Sequence, residues 1–188
     1  MVPVGGVEVM LAGTAASGLL LAGLALLLQR RTGVVWAWAF AGLLWSLVVI
    51  GLLTLLPAQA DPGVVYADER LGVCSFDLGG PAPDGFWILS GGQRLLNVLV
   101  FVPSGALLVV VAARWRSGWV TVPLGLTALA AYSVGIEWTQ LELARIDRAC
   151  DVTDVVDNVT GAALGVAVGL VLVVVLRPWR ARHPRGGR

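Results

Sequence analysis

Lysine is absent from this 188-residue chain, and charge of either sign is scarce, at 13% of residues, against about 25% in soluble domains. All 13 basic residues are arginine, 12 residues are acidic, and the net charge is +1. There is therefore no basic footprint for nucleic acid. The single histidine, His183, lies in the C-terminal segment, so no imidazole is available to activate a Ser or Cys nucleophile in the apolar body. The two cysteines, Cys74 and Cys150, are far apart in sequence, which excludes CxxC redox and zinc-finger spacing. The polar/apolar alternation of a membrane β-barrel is also missing. What fills the chain instead is apolar: 57% of residues are hydrophobic, with a mean hydropathy of +0.85 in 19.7 kDa. A soluble domain of this size has too little interior to hide so much apolar surface. Most of the chain is expected to be solvated by lipid.

Five apolar stretches approach the ~20 residues needed to cross a bilayer: Val7–Leu28, Val34–Leu56, Leu95–Ala113, Trp119–Leu141 and Val155–Leu176. They predict an all-α, polytopic membrane protein, organised as two N-terminal transmembrane helices (1–56), an outer loop (57–94), a three-helix core (95–176) containing a second outer loop (142–154), and a basic tail (177–188). The first stretch lacks a positive flank before it and is followed by Arg30 and Arg31, as expected of a retained helix and not of a cleaved signal peptide. The segments Gln29–Gly33, Arg114–Gly118 and the tail hold nine of the 13 arginines and no acid, while every Asp and Glu falls at the opposite end. The positive-inside rule then predicts an outward N-terminus and a cytoplasmic C-terminus. Trp36, Trp38, Trp115, Trp119 and Trp179 fall at inner span ends and Trp87 and Trp138 at outer ones, the level at which indoles favour the headgroups. Trp45 alone lies deep and is expected to serve packing.

This topology places both cysteines outside, where a Cys74–Cys150 disulfide joining the two outer loops is the natural expectation.

Polar residues beside the spans gather at one depth. Asn97 begins the third span, Glu137 and Gln140 end the fourth, and Asp151, Asp154, Asp157 and Asn158 lead into the fifth. Glu137 and Gln140 are three apart and share a helix face. Asp151, Asp154 and Asn158 share another if the fifth helix begins early, and below them run Gly161, Gly165 and Gly169, a G-x-x-x-G ridge suited to close helix packing in lipid. That ridge is expected to seat span five on span three or four, with Asn158 beside Asn97 or Glu137. Asp154 suits an N-cap of the fifth helix and Asp157 a first-turn acid favoured by the helix dipole. Glu137 at a span edge needs a cationic partner such as Arg94, Arg145 or Arg148, or else retains its proton.

These residues carry a resemblance. Asn97-Val-Leu-Val-Phe101-Val-Pro103-Ser-Gly105, then Glu137-Trp-Thr-Gln140, then Arg148-Ala-Cys-Asp151-Val-Thr-Asp154-Val-Val-Asp-Asn158-Val-Thr-Gly161 resembles the VanZ-like family pattern N-x3-F-x-P-x-G, E-x2-Q, R-x2-D-x2-D-x3-N-x2-G over about residues 93–170. The resemblance implies a multi-pass protein of the bacterial plasma membrane, in a family named for a member conferring low-level resistance to the glycopeptide teicoplanin. From the residues themselves two readings follow. In the first, Asn97, Gln140, Arg148, Asp151, Asp154 and Asn158 form an outward-facing site that binds membrane lipid, in particular a polyprenyl-phosphate-linked wall precursor. Arginines and outward helix N-termini favour its phosphate. In the second, the chain is an intramembrane enzyme acting on such a precursor, with Glu137 as general acid or base and Arg148 steadying negative charge. No organic cofactor is expected. A divalent cation on Asp151 and Asp154 would be Mg2+ or Ca2+, since the donors are oxygens. Five short spans without an inverted repeat argue against a transporter.

Non-reducing intact mass spectrometry with alkylation of free thiols tests the expected Cys74–Cys150 bridge. No label should be taken up before reduction and two labels after it. Two labels before reduction would remove the bridge.

Overall fold

The computed structural model describes residues 5–57, 74, 92–142 and 151–178. Five helices run in order: α1 Val7–Thr32, α2 Val34–Leu55, α3 Gly92–Ala112, α4 Gly118–Glu142 and α5 Val152–Leu176. Each is long and apolar enough to cross a membrane, and none of the described residues forms a sheet. Most of the two segments expected to be outer loops, together with Arg145, Arg148, Cys150 and the tail beyond Pro178, lie outside the described residues. Cys74 is not free, but its expected partner Cys150 is among the residues not described.

The helices start close to the expected positions, with two informative differences. The expected inner loop Gln29–Gly33 shrinks to Gly33 alone, because α1 continues through Arg30 and Arg31 to Thr32. Gly33 has φ 88° and ψ 150°, a backbone conformation that only glycine adopts without steric cost. The fifth helix begins at Val152, earlier than Val155. Its N-cap is Asp151, which accepts from the Thr153 N–H at 2.9 Å. Asp154 is thus a first-turn acid and not the cap. Pro103 and Pro123 sit inside α3 and α4 without ending either, as membrane helices tolerate.

Burial ranks the helices. The apolar window of α3 is 56% buried and that of α1 only 6%, so α3 is the central helix and α1 a peripheral one facing lipid. Phe101, Ile50, Leu108, Leu129, Ile136 and Ala162 form the main apolar cluster, drawn from α2 to α5. α1 is held to α2 by a hydrogen bond from Trp45 Nε1 to the Thr14 carbonyl at 3.0 Å, with the indole against Gly18. Trp45 therefore serves packing, as expected.

The closest pairing is α3 with α5, which run parallel. Gly161 lies on the Val98 backbone, Gly165 on Val102 and Gly169 on Ala106, while Gly105 of α3 lies reciprocally on Ala162. A Cβ at any of these four positions would collide with backbone atoms of the other helix. Backbone has no rotamer with which to yield, so only glycine permits this approach. The expectation that the ridge seats α5 on a neighbouring helix is met, and the neighbour is α3.

Gly165→Ala should lower stability by about 2 kcal/mol or more, or prevent accumulation of folded protein, since overpacking a fitted interface costs ~1–3 kcal/mol even where side chains can yield. Gly135→Ala is the control: its Cβ would meet nothing within 4 Å, and thermal unfolding in detergent should stay within about 1 kcal/mol of the parent.

Candidate functional site

Because α3 and α5 are parallel, their N-termini emerge at the same end, and the antiparallel α2 and α4 finish there. The expected gathering of polar side chains at this end is found.

The α3–α5 register continues above the glycines. Counting back four residues from Gly161 and Val98 gives Asp157 and Arg94, and these form the next rung. Arg94 Nε donates to Asp157 Oδ2 at 2.8 Å and its Nη2 to Oδ1 at 3.0 Å. This fork is the strongest geometry available to the pair. The Asp157 side chain is 4% exposed, that of Arg94 24%. The carboxylate is thus buried and the guanidinium reaches the surface. Arg94 was one expected partner for Glu137, but its fork is turned to Asp157. Sequence reading assigned Asp157 only to the helix dipole and gave it no site role. The four-residue spacing to Gly161 was the signal that could have found it.

Glu137 is buried in the last two turns of α4, and its Oε2 accepts from the Asp151 backbone N–H at 3.1 Å. Asp151 in turn caps α5. The two residues therefore join the end of α4 to the start of α5 across the segment that links them. Asn158 is buried and donates from Nδ2 to Ser133 Oγ at 2.9 Å, one turn before Glu137. Gln140, also buried, donates from Nε2 to the Thr54 carbonyl of α2 at 2.9 Å. Asp154 lies half-buried in the first turn of α5 and is engaged. Arg148 lies outside the described residues.

Asn97 differs from these. Its Nδ2 is buried and has no hydrogen-bond acceptor among the described residues. A buried amide N–H without an acceptor costs about 1–3 kcal/mol, so this donor is retained against its own cost. It sits one turn after Arg94 on α3.

Ser133 and Thr54 were not foreseen as contributors. Ser133 is one of only four serines in the five helices and stands in no motif, and Thr54 takes part through its backbone carbonyl, which leaves no mark in a sequence. Among the described residues no group of three His, Cys, Asp or Glu side chains could hold a metal ion. Asp151 and Asp157 are engaged with a backbone N–H and a guanidinium. Chemically, the end offers two buried carboxylates, Glu137 and the paired Asp157, one guanidinium with an accessible edge, Arg94, and one amide donor without an acceptor among the described residues, Asn97.

Removing one member of a buried ion pair strands the other. Arg94→Ala should lower stability by about 3 kcal/mol, the low end for such pairs, because Arg94 retains contact with solvent. Replacing both residues with leucine should recover at least half of the loss. Chemical unfolding of the single and double variants in detergent checks both values.

The VanZ/LLP1 family model matches residues 43–175. The match starts inside α2, ahead of Thr54, and runs almost to the end of α5, so the helix that receives Gln140 belongs to the matched region. Comparison with curated proteins and with solved structures finds no match. The matched region covers most of the chain and holds every side-chain contact described above at this end, and the chain accordingly belongs to the VanZ/LLP1 family of multi-pass membrane proteins.

Proposed function

We propose that the polar end of the bundle is an outward-facing site in a bacterial plasma membrane that binds the phosphate of a polyprenyl-linked cell-envelope lipid. The observation that carries this reading is the Asn97 amide, buried one helical turn from Arg94 of the Arg94–Asp157 fork and without an acceptor among the described residues. A phosphate oxygen is an acceptor of the right kind. The accessible edge of Arg94 and the N-termini of α3 and α5 add positive potential at the same end, and Arg148 of the family motif is a further cation in the adjoining segment. Outward orientation rests on charge: the opposite end carries only arginine, which favours the cytoplasmic side. Holding such lipids would alter how wall precursors are displayed, and this would connect the site to glycopeptide resistance of the teicoplanin type.

A second reading has one observation of its own. Glu137 is a carboxylate buried at a span edge with a backbone N–H directed at it, a placement suited to proton transfer. It would make the chain an intramembrane enzyme on the same lipid, with Glu137 as acid or base and Arg148 steadying charge. A divalent cation would then have to come with the substrate phosphate or sit on Asp154 and residues beyond those described.

Native mass spectrometry from micelles containing equal amounts of a polyprenyl phosphate and the corresponding polyprenol tests the first reading. The parent should retain the phosphate preferentially, and Asn97→Ala and Arg148→Ala should each reduce that preference about tenfold, the worth of ~1.4 kcal/mol. Teicoplanin susceptibility of cells expressing each variant should rise in the same order. Equal retention of phosphate and alcohol by the parent would remove the lipid-phosphate reading. Glu137→Gln separates the second: retained lipid binding with lost conversion of the lipid identifies an enzyme.

A further inference from the structure

The opposite end of the bundle has a different construction. Its described residues include Arg30, Arg31, Arg114, Arg116 and Arg177 and no Asp or Glu. Arg114 is committed to the fold: its Nη1 donates to the Thr32 carbonyl at the end of α1, and its guanidinium lies 5.5 Å over the Trp36 ring. Trp36 is fixed in turn by a bond from Nε1 to the Val111 carbonyl at 3.2 Å, by stacking on Phe40 at 5.0 Å, and by the edge of Trp115 at 5.7 Å. The tryptophan is therefore a rigid wall.

Against that wall lies an open groove of about 290 Å3, between the start of α2 and the end of α5, lined by Val34, Val35, Trp36, Val175, Leu176 and Arg177. Its volume is close to the lower bound of about 300 Å3 for small-ligand pockets. The sides are apolar and run along the membrane-facing part of both helices. The mouth is cationic. Arg177 is exposed and takes the left-handed conformation, φ 46° and ψ 54°, as the cap of α5. Across from it, Gly33 supplies no side-chain cap to α2, and no acid lies in the first turn of that helix, so the first N–H groups of α2 lack intrahelical partners.

We infer that this groove binds an anionic phospholipid, an acyl chain lying between Val35 and Val175 and the phosphate meeting Arg177 and the start of α2. Two features of the groove select that occupant together. Apolar walls at the level of a helix end suit an acyl chain. A face that carries arginine alone is complementary to a net-negative headgroup, and a zwitterionic one lacks the charge to match it. The site is distinct from the polar end, since it lies at the other surface of the membrane and shares no residue with it.

Competition between phosphatidylglycerol and phosphatidylcholine of identical acyl chains, read by native mass spectrometry of the full chain, tests the inference. The parent should retain one phosphatidylglycerol in preference. Arg177→Gln, which alters an exposed side chain, should reduce the preference about fivefold, the worth of one arginine near an anionic surface. Val175→Trp fills the groove from a residue 71% exposed, so the core is untouched; it should lower retention of the bound lipid about tenfold. Equal retention of the two lipids by the parent overturns the inference. So does a preference that survives both substitutions and disappears only when Arg180, Arg182, Arg185 and Arg188 are neutralised, because the lipid would then sit on the tail.

Discussion

The close backbone contact between α3 and α5 is the constraint on which the rest of the structure depends. Lipid tails are as apolar as leucine, so helices in a membrane gain nothing by hiding hydrocarbon from each other. They gain by fitting closely and by pairing polar groups. Gly161, Gly165 and Gly169 provide the fit, each against a backbone group of α3, and Gly105 returns it. The register is a ladder of four-residue steps: Ala106 with Gly169, Val102 with Gly165, Val98 with Gly161, and then Arg94 with Asp157. The ion pair is therefore the last rung of a packing interface. Its geometry is set by glycines about one to three turns away, and a shift of one residue in that register would leave a buried carboxylate alone.

The other helices join this pair through polar contacts more than through close fit. Tyr132 of α4 donates to the Leu47 carbonyl of α2 at 2.8 Å, and Ser46 of α2 meets Ser104 of α3 at 2.9 Å. Asn158 reaches Ser133, and Gln140 reaches Thr54. Each contact satisfies a buried polar group in a place with no water to do so. Nearly all of the family's motif residues that the structure describes are thus engaged in holding four helices together. The exception is Asn97, whose buried amide N–H has no acceptor among the described residues, the feature on which the proposed binding site rests. The two ends of the molecule then divide the chemistry: amides and carboxylates at one, arginines and indoles at the other.

Much of this was legible in the sequence. Five spans follow from hydropathy because each is a near-continuous apolar run, and the polar depth follows from where those runs stop. The glycine ridge was visible as spacing. Its partner helix was not, since α3 offers it a single glycine, Gly105, among ordinary Val and Ala side chains and is recognised chiefly by the backbone it exposes. The Arg94–Asp157 rung was missed for a related reason. Asp157 and Asn158 are adjacent in sequence, and tracing the face through Asn158 drew attention to α4, where Asn158 does bond, while Asp157 continues the stripe toward α3. The role of Thr54 was out of reach, because every residue carries a carbonyl and only the fold decides which ones receive a side chain. The short turn at Gly33 was hidden by Arg30 and Arg31, which read as loop but lie in helix, their long side chains carrying charge away from the span.

A solved structure of the full chain in nanodiscs containing a polyprenyl phosphate bears most directly on whether this clasp is also a site. Phosphate density within hydrogen-bonding distance of Asn97 Nδ2 and the exposed edge of Arg94, with the Arg94–Asp157 fork intact, is the predicted result. An Asn97 amide bonded to an acceptor of the chain itself, with the lipid phosphate elsewhere, would contradict it and leave the polar end a device of folding alone.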